Sequence, residues 1–389
     1  MRLVEDFDAI TMDRLRDIGA TKWQNDDGSI GAFIAEMDFG IAPAITHALH
    51  QAVDIGSFGY FPPKLSANLT GATAAWLESR FEWSVSPSDV HPIADVVRAY
   101  EFAIEHGCAP GRAVIVPTPA YKPFLLLPQM IDRHVIEVPM AVEGNKYVFD
   151  MAALQSAFDA GGELLVLCNP YNPAGRVFSR DELAALSELV ARNNGRVFAD
   201  EIWAPLTFAG HHHIPYASVS ALSASHSITA ISASKAWNMP GLKCAQVIVT
   251  NERDRETWAV EGPWLEHGAS NLGAVATIAA YQDGDSWLSG VNAYLDRNRQ
   301  GLATLIRDHL PGVGYEMPEG TYVGWLDFRQ SAIAKQPAAF FKEKAGVILT
   351  EGTDCGAIGA GFTRLIFATP FPVMEEAISR MARAMRLAE

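Results

Sequence analysis

The chain has 389 residues, 49% of them hydrophobic, and 30 Lys and Arg stand against 45 Asp and Glu, a formal net charge of -15. That length supports two or three domains with large buried cores, and the acidity excludes nucleic acid as an expected partner because phosphate backbones are held by basic faces. The opening MRLVEDFDAITMDRLRD has no apolar stretch, and no later segment approaches about 18 uninterrupted apolar residues, so no signal peptide and no membrane association are expected and the cytoplasm is the default location.

Along the chain, the first 50 residues give no clear periodicity and are expected to pack with the C-terminal unit. From about residue 90 to 250, short β-rich runs alternate with helical patterns, the mark of an α/β fold with a mainly parallel sheet covered by helices. The runs are AVIV at 113–116, ELLVLC at 163–168, RVFA at 196–199, ITAIS at 228–232 and AQVIVT at 245–250. Ser179 and Glu182 form an S-x-x-E capping box ahead of ELAALSELVARN, with Gly195 placed to end that helix. Leu288 to Leu310 reads as one long helix, and YVGWLDF, AAFFKEKAG, TRLIFAT and MEEAISRMARAMR then describe a smaller α+β unit. The expected division is an N-terminal segment 1–50, a large domain 51–287 and a small C-terminal domain 288–389. There is no internal repeat or low-complexity tract. Cys108, Cys168, Cys244 and Cys355 lie far apart without a C-x-x-C pair and read as reduced, mostly buried thiols.

In an open α/β sheet, ligands bind beyond the carboxyl ends of the strands. AVIV is followed by PTPAY with Tyr121, ELLVLC by NPYNPAG with Asn172, RVFA by Asp200 and Glu201, and ITAIS by Ser234 and Lys235. Lys235 stands in ISASKAWNMPGL, otherwise free of charge until Lys243, and removing an ammonium from water costs several kcal/mol unless a partner or a covalent bond relieves it. Taken singly, each residue has a plainer reading: Asp200 and Glu201 as a helix N-cap pair, Asn172-Pro173 as a turn, Tyr121 as core, Lys235 as a solvated lysine. Together, a lysine, a carboxylate, an amide and an aromatic converging on one crevice are the parts that pyridoxal phosphate chemistry requires.

With those residues in place, the sequence resembles the fold-type-I pyridoxal-phosphate enzymes of the aspartate aminotransferase superfamily over nearly its whole length. FIAEMDF at 33–39, FGYFPP at 58–63, PTPAY at 117–121, NPYNPAG at 169–175, DEIWAPL at 200–206 and SASKAWNMPGLK at 232–243 resemble the C–S lyases of the MalY/PatB, cystathionine β-lyase type. The resemblance implies that Lys235 holds pyridoxal 5'-phosphate through a Schiff base and serves as general base at Cα. It further implies that Asp200 pairs with the pyridinium nitrogen, Asn172 donates to the phenolic oxygen, Tyr121 stacks on the ring, and Ser232 and Lys243 hold the phosphate. Arg364 in GFTRLIF matches the arginine that grips the substrate carboxylate, although alone it would pass for a surface ion-pair residue. Tyr60 matches a tyrosine that reaches the neighbouring subunit's phosphate, which implies a homodimer with sites at the subunit interface.

Three departures stand out. Lys243 replaces an arginine with a point charge. Trp203 stands where many members carry tyrosine or histidine, and an indole N–H donates but cannot accept. IADVVRAYEF lacks a glycine-rich phosphate turn, leaving the amides of Val96 and Val97 at a helix N-terminus for that task. The run His211-His212-His213 lacks the i, i+4 spacing of a helical metal pair and reads as a surface loop, so no metal is expected. The expected reaction is β-elimination from cystathionine or a related cysteine S-conjugate, giving a thiol such as homocysteine, pyruvate and ammonia. A class I/II aminotransferase is the alternative, and a cofactor-bound regulatory protein with weak lyase activity is the second.

Overall fold

Runs rich in valine, isoleucine and leucine through the middle of the chain form a seven-stranded sheet, as side chains that fit a buried pleated surface should. The computed structural model describes residues 6–25 and 28–387. The strands are β1 (Val90–Ile93), β2 (Ala113–Thr118), β3 (His134–Pro139), β4 (Gly162–Cys168), β5 (Arg196–Asp200), β6 (Ser227–Ile231) and β7 (Ala245–Val249). Their order is β1-β7-β6-β5-β4-β2-β3. β6, β5, β4, β2 and β3 run parallel, while β7 is antiparallel to both neighbours. Register pairs Cys168 with Asp200 and Asp200 with Ala230, so the carboxyl ends of three adjacent strands finish level.

The helices used below are α1 (Pro43–Asp54), α2 (Pro63–Phe81), α3 (Val96–Gly107), α4 (Lys122–Met130), α5 (Arg180–Arg192), α6 (Asn271–Asp283), α7 (Asp285–His309), α8 (Pro337–Ala345) and α9 (Phe371–Arg386). The capping box is formed: Glu182 N donates to Ser179 Oγ at 3.2 Å and Ser179 N donates to Glu182 Oε2 at 2.8 Å. The helix stops at Arg192, before the expected glycine, and Asn194 takes the left-handed turn at φ 50°. Gly195 serves close packing instead, since a Cβ there would come within 2.6 Å of the Phe158 ring.

The C-terminal part builds a four-stranded antiparallel sheet from β8 (Gly314–Tyr315), β9 (Val323–Asp327), β10 (Thr350–Glu351) and β11 (Phe362–Ile366), in the order β8-β9-β11-β10. Helix α9 packs on α7 and α8 behind it. The N-terminal segment touches both parts of the molecule. Ile30–Gly31 pairs in parallel with Val347–Ile348, and Ile366 N donates to Ala32 O at 2.9 Å. A few residues on, Met37 exchanges two hydrogen bonds of 2.8 and 2.9 Å with the side chain of Asn238, three residues past Lys235. Residues 33–38 thus form a wall between the Lys235 turn and the small sheet. Among the described residues, no helix is long and apolar enough to cross a membrane.

Candidate active site

The strand ends deliver their side chains as backbone register dictates. Asp200 is the last residue of β5 and points out of the sheet end; it opens no helix, so the N-cap reading fails. Lys235 follows β6 by four residues, and Asn172 follows β4 by four. Arg364 sits at the middle of β11, opposite Trp325 on one side and Thr350 on the other, only 7% exposed, which removes the surface ion-pair reading. One cavity of about 480 Å³ opens among these elements, and every expected site residue except Tyr60 lines it: Tyr121, Asn172, Asp200, Trp203, Ser232, Lys235, Lys243, Val96, Val97 and Arg364. Tyr60 is 99% exposed and lines a separate shallow depression with Phe58 and Asn271.

Lys235 Nζ donates to Ala35 O at 2.7 Å and lies 5.8 Å from the Trp203 ring centroid. Burial pulls its ammonium down to about 8, Arg364 repels it further, and Asp200 and Glu36 only partly oppose the shift. Asp200 accepts from Ile202 N at 3.0 Å and forms no ion pair with any described residue; burial pushes its carboxyl up to about 7. Arg364 donates to Phe33 O at 2.9 Å, to Thr350 Oγ1 at 3.3 Å and to Asn172 Oδ1 at 3.4 Å, while its Nε is buried without an acceptor. No carboxylate pairs with this guanidinium among the described residues. Burial also raises the Tyr121 hydroxyl, against the pull of Arg364.

Two of the expected phosphate contacts are engaged with protein. Ser232 Oγ donates to Cys244 O at 2.8 Å, and Lys243 Nζ pairs with Asp95 Oδ2 at 2.9 Å. Asp95 caps α3 by accepting from Arg98 N at 2.9 Å, leaving the Val96 and Val97 amides at the first helical positions. A phosphate entering here meets the Val96 and Val97 amides of a helix end that Asp95 caps, and a lysine that Asp95 already holds.

The donor set fits pyridoxal phosphate. An amine with a lowered proton affinity suits Schiff-base formation, a buried carboxylate without a cation suits a protonated ring nitrogen, and a buried guanidinium with an orphaned Nε suits a carboxylate ligand. The model for class I and II aminotransferases matches residues 34–381. A cystathionine β-lyase of Corynebacterium glutamicum is 35% identical over 96% of this chain and 99% of its own. A solved chain from Corynebacterium diphtheriae superposes with a TM-score of 0.91 at 39% identity, covering 97% of this chain and 98% of that one. The pyridoxal-phosphate-bound C–S lyase of Staphylococcus hominis superposes with a TM-score of 0.89 at 28% identity, covering 97% of each. This chain belongs to the class I and II aminotransferase family and has the fold of the fold-type-I pyridoxal-phosphate enzymes.

The structure corrects one reading and adds residues that the sequence did not single out. His213 is not on a surface loop: it is 5% exposed and shares a 3.1 Å hydrogen bond with Glu201 Oε2, whose other oxygen accepts from Tyr216 N at 2.7 Å. That buried pair braces the turn leaving Asp200, while His211 and His212 stay nearer solvent. Asp95, Thr350, Ala35 and Lys122 also meet the site. Only Asp95 carried a signal, as an N-cap residue ahead of an apolar-periodic run.

Proposed function

We propose that this protein is a pyridoxal-phosphate-dependent carbon–sulfur β-lyase of the cystathionine β-lyase type, splitting cystathionine or a related cysteine S-conjugate into a thiol, pyruvate and ammonia. The observation that carries the reading is one cavity in which Lys235, Asp200 and a carboxylate-free Arg364 meet, with no second arginine in its lining. When bound, pyridoxal phosphate supplies the electron sink that lets a Cα proton leave and a β-substituent depart. Lys235 anchors the group and then takes the Cα proton at Nζ, a role suited to an amine held near about 8. Asp200 keeps the ring nitrogen protonated. Arg364 would grip the substrate α-carboxylate and so orient the substrate's Cα proton towards Lys235.

Asn172 donates to the ring oxygen, and Tyr121 and Trp203 close the ring off from water. Ser232, Lys243 and the Val96 and Val97 amides take the phosphate, with Lys243 exchanging Asp95 for it. A dicarboxylate aminotransferase calls for an unopposed second cation at the distal acid, whereas Lys122 in this lining is paired with Asp354 at 2.8 Å, and a thioether chain passes along apolar wall. Phe33, Ile34, Phe124 and Ile202 provide that wall. The same reading places the active protein in the cytoplasm as a homodimer, with Tyr60 reaching the partner's phosphate, and divides the chain at 50 and 287. The strand pair Ile30–Gly31 with Val347–Ile348 supports joining the first segment to the small domain. The test is incubation of holoenzyme with L-cystathionine, following pyruvate and free thiol without added keto acid. Stoichiometric release of both is expected. Amino exchange with a keto acid and no pyruvate would replace this reading with the aminotransferase one.

A further inference from the structure

Lys122 and Asp354 form an ion pair of 2.8 Å at the cavity, joining parts of the chain 232 residues apart. Lys122 opens α4 directly after Tyr121 and lines the cavity. Asp354 lies on the turn Gly352–Cys355, between the lining residues Thr350 and Cys355, and that turn is fastened to the Tyr121 loop by Ala120 N donating to Cys355 O at 2.7 Å. The pair is not a buried lock: its side chains are 52% and 41% exposed. An exposed pair of this kind contributes little to stability, so its two charges stay available to a ligand.

Its place along the wall matters. Arg364, the anchor for the α-carboxylate, contacts Thr350, and from there the chain runs through residues 350–355 to Asp354. The buried Cys355, which follows Asp354 directly in the chain, lines the same cavity as Arg364 and Lys122. The cavity that Arg364 and Lys122 share also has apolar lining from Phe33, Ile34, Phe124 and Cys355.

We infer that the Lys122–Asp354 pair is a recognition site for a zwitterionic leaving group, Lys122 taking the distal carboxylate and Asp354 the distal ammonium of a cystathionine-like thioether. This rests on the lyase reading and names its substrate class: S-conjugates that end in an amino acid head. A substrate with a distal acid alone meets attraction from Lys122 and repulsion from Asp354, and a neutral S-alkyl group meets neither. Discrimination arises from the opposed charges as much as from the attraction.

The test compares holoenzyme turnover of L-cystathionine, S-(2-carboxyethyl)-L-cysteine and S-ethyl-L-cysteine. Lys122→Met should raise KM for cystathionine by about tenfold and leave S-ethyl-L-cysteine within about twofold, the scale of one charge contact at a partly exposed site. Asp354→Asn should raise KM for cystathionine and lower it for S-(2-carboxyethyl)-L-cysteine. The double exchange Lys122→Asp with Asp354→Lys keeps the bridge between the two elements but interchanges its ends. Restoration of the cystathionine KM by that exchange would reduce the pair to a structural bridge and overturn the inference. So would equal effects on all three substrates, or none, in variants of an enzyme that releases pyruvate. Absence of pyruvate from every substrate with wild-type enzyme would instead refute the lyase reading and this inference with it.

Discussion

Burial moves the proton affinities of Lys235 and Asp200 towards each other, and that shift has measurable consequences. Lys235→Ala should abolish turnover and leave no adduct that borohydride can trap, while the wild-type apoprotein should capture pyridoxal phosphate with a midpoint near about 8 instead of the ordinary 10.5. Capture that keeps rising beyond pH 10 would show that the amine is not desolvated. For Asp200 the folded pKa is raised from 3.8 to about 7, so the folded apoprotein binds more protons than the unfolded chain between those values. The cost of the buried carboxylate is therefore fully present above about 7 and fades as pH falls towards 3.8. Asp200→Asn apoprotein should melt higher than wild type at about pH 8, by on the order of a few kcal/mol in stability, and match it near about pH 4. Holoenzyme turnover should collapse in the same variant; equal melting curves at both pH values would contradict the assigned burial cost. Lys235, Asp200 and Asn172 were legible because each stands at the end of a recognisable strand or a few residues past it. Lys122 with Asp354, and Lys235 with Ala35, were not, since partners 232 and 200 residues apart leave no local pattern.

At the scale of elements, the turn that carries Asn172 is held from outside by one glutamate. Glu319 accepts from Arg176 Nε at 3.0 Å, from Val177 N at 2.9 Å and from Lys146 Nζ at 2.6 Å. Gly175, at φ 70°, lies so close to the same segment that a Cβ would come within 2.2 Å of Pro318. Glu319→Ala should lower stability by about 3 kcal/mol, the low end for breaking a buried pair because Glu182 still holds Arg176 at 3.0 Å. Urea denaturation gives the number, and a change below about 1 kcal/mol would reduce the clasp to a surface contact. Gly175→Ala should be worse, since neither backbone nor Pro318 can yield cheaply. The central strands could be read from continuous apolar runs, but two edge strands could not. HVIEVP at 134–139 fully buries only Val138, and VHPI at 90–93, though largely buried, is short and carries Pro92, which edge positions tolerate. Neither offers the long apolar run that makes a strand visible in sequence.

For the whole molecule, the open question is why Tyr60, expected at the cofactor phosphate, lies 99% exposed beside Ile55 at 81% and Phe58 at 63%. Three large apolar side chains on one short stretch make a patch that soluble chains normally cover. The stretch is not loose: Asn271 Nδ2 donates to Gly59 O at 2.8 Å, and α6, which begins at Asn271, packs against α1 and α2. A rigid, apolar, outward-facing loop suits a second copy of the chain, which would carry Tyr60 to the neighbouring site while its own site receives the partner's. The consequence is a defined complementation. Tyr60→Phe and Lys235→Ala homodimers should each be impaired, but a mixed dimer contains one site with both defects and one with neither. Subunit exchange between the two impaired preparations should therefore raise activity, approaching half of one wild-type site pair per heterodimer. If mixed dimers form, as sedimentation or differential tagging would show, and no activity returns, Tyr60 serves its own subunit's site or none, and the exposed loop needs another partner.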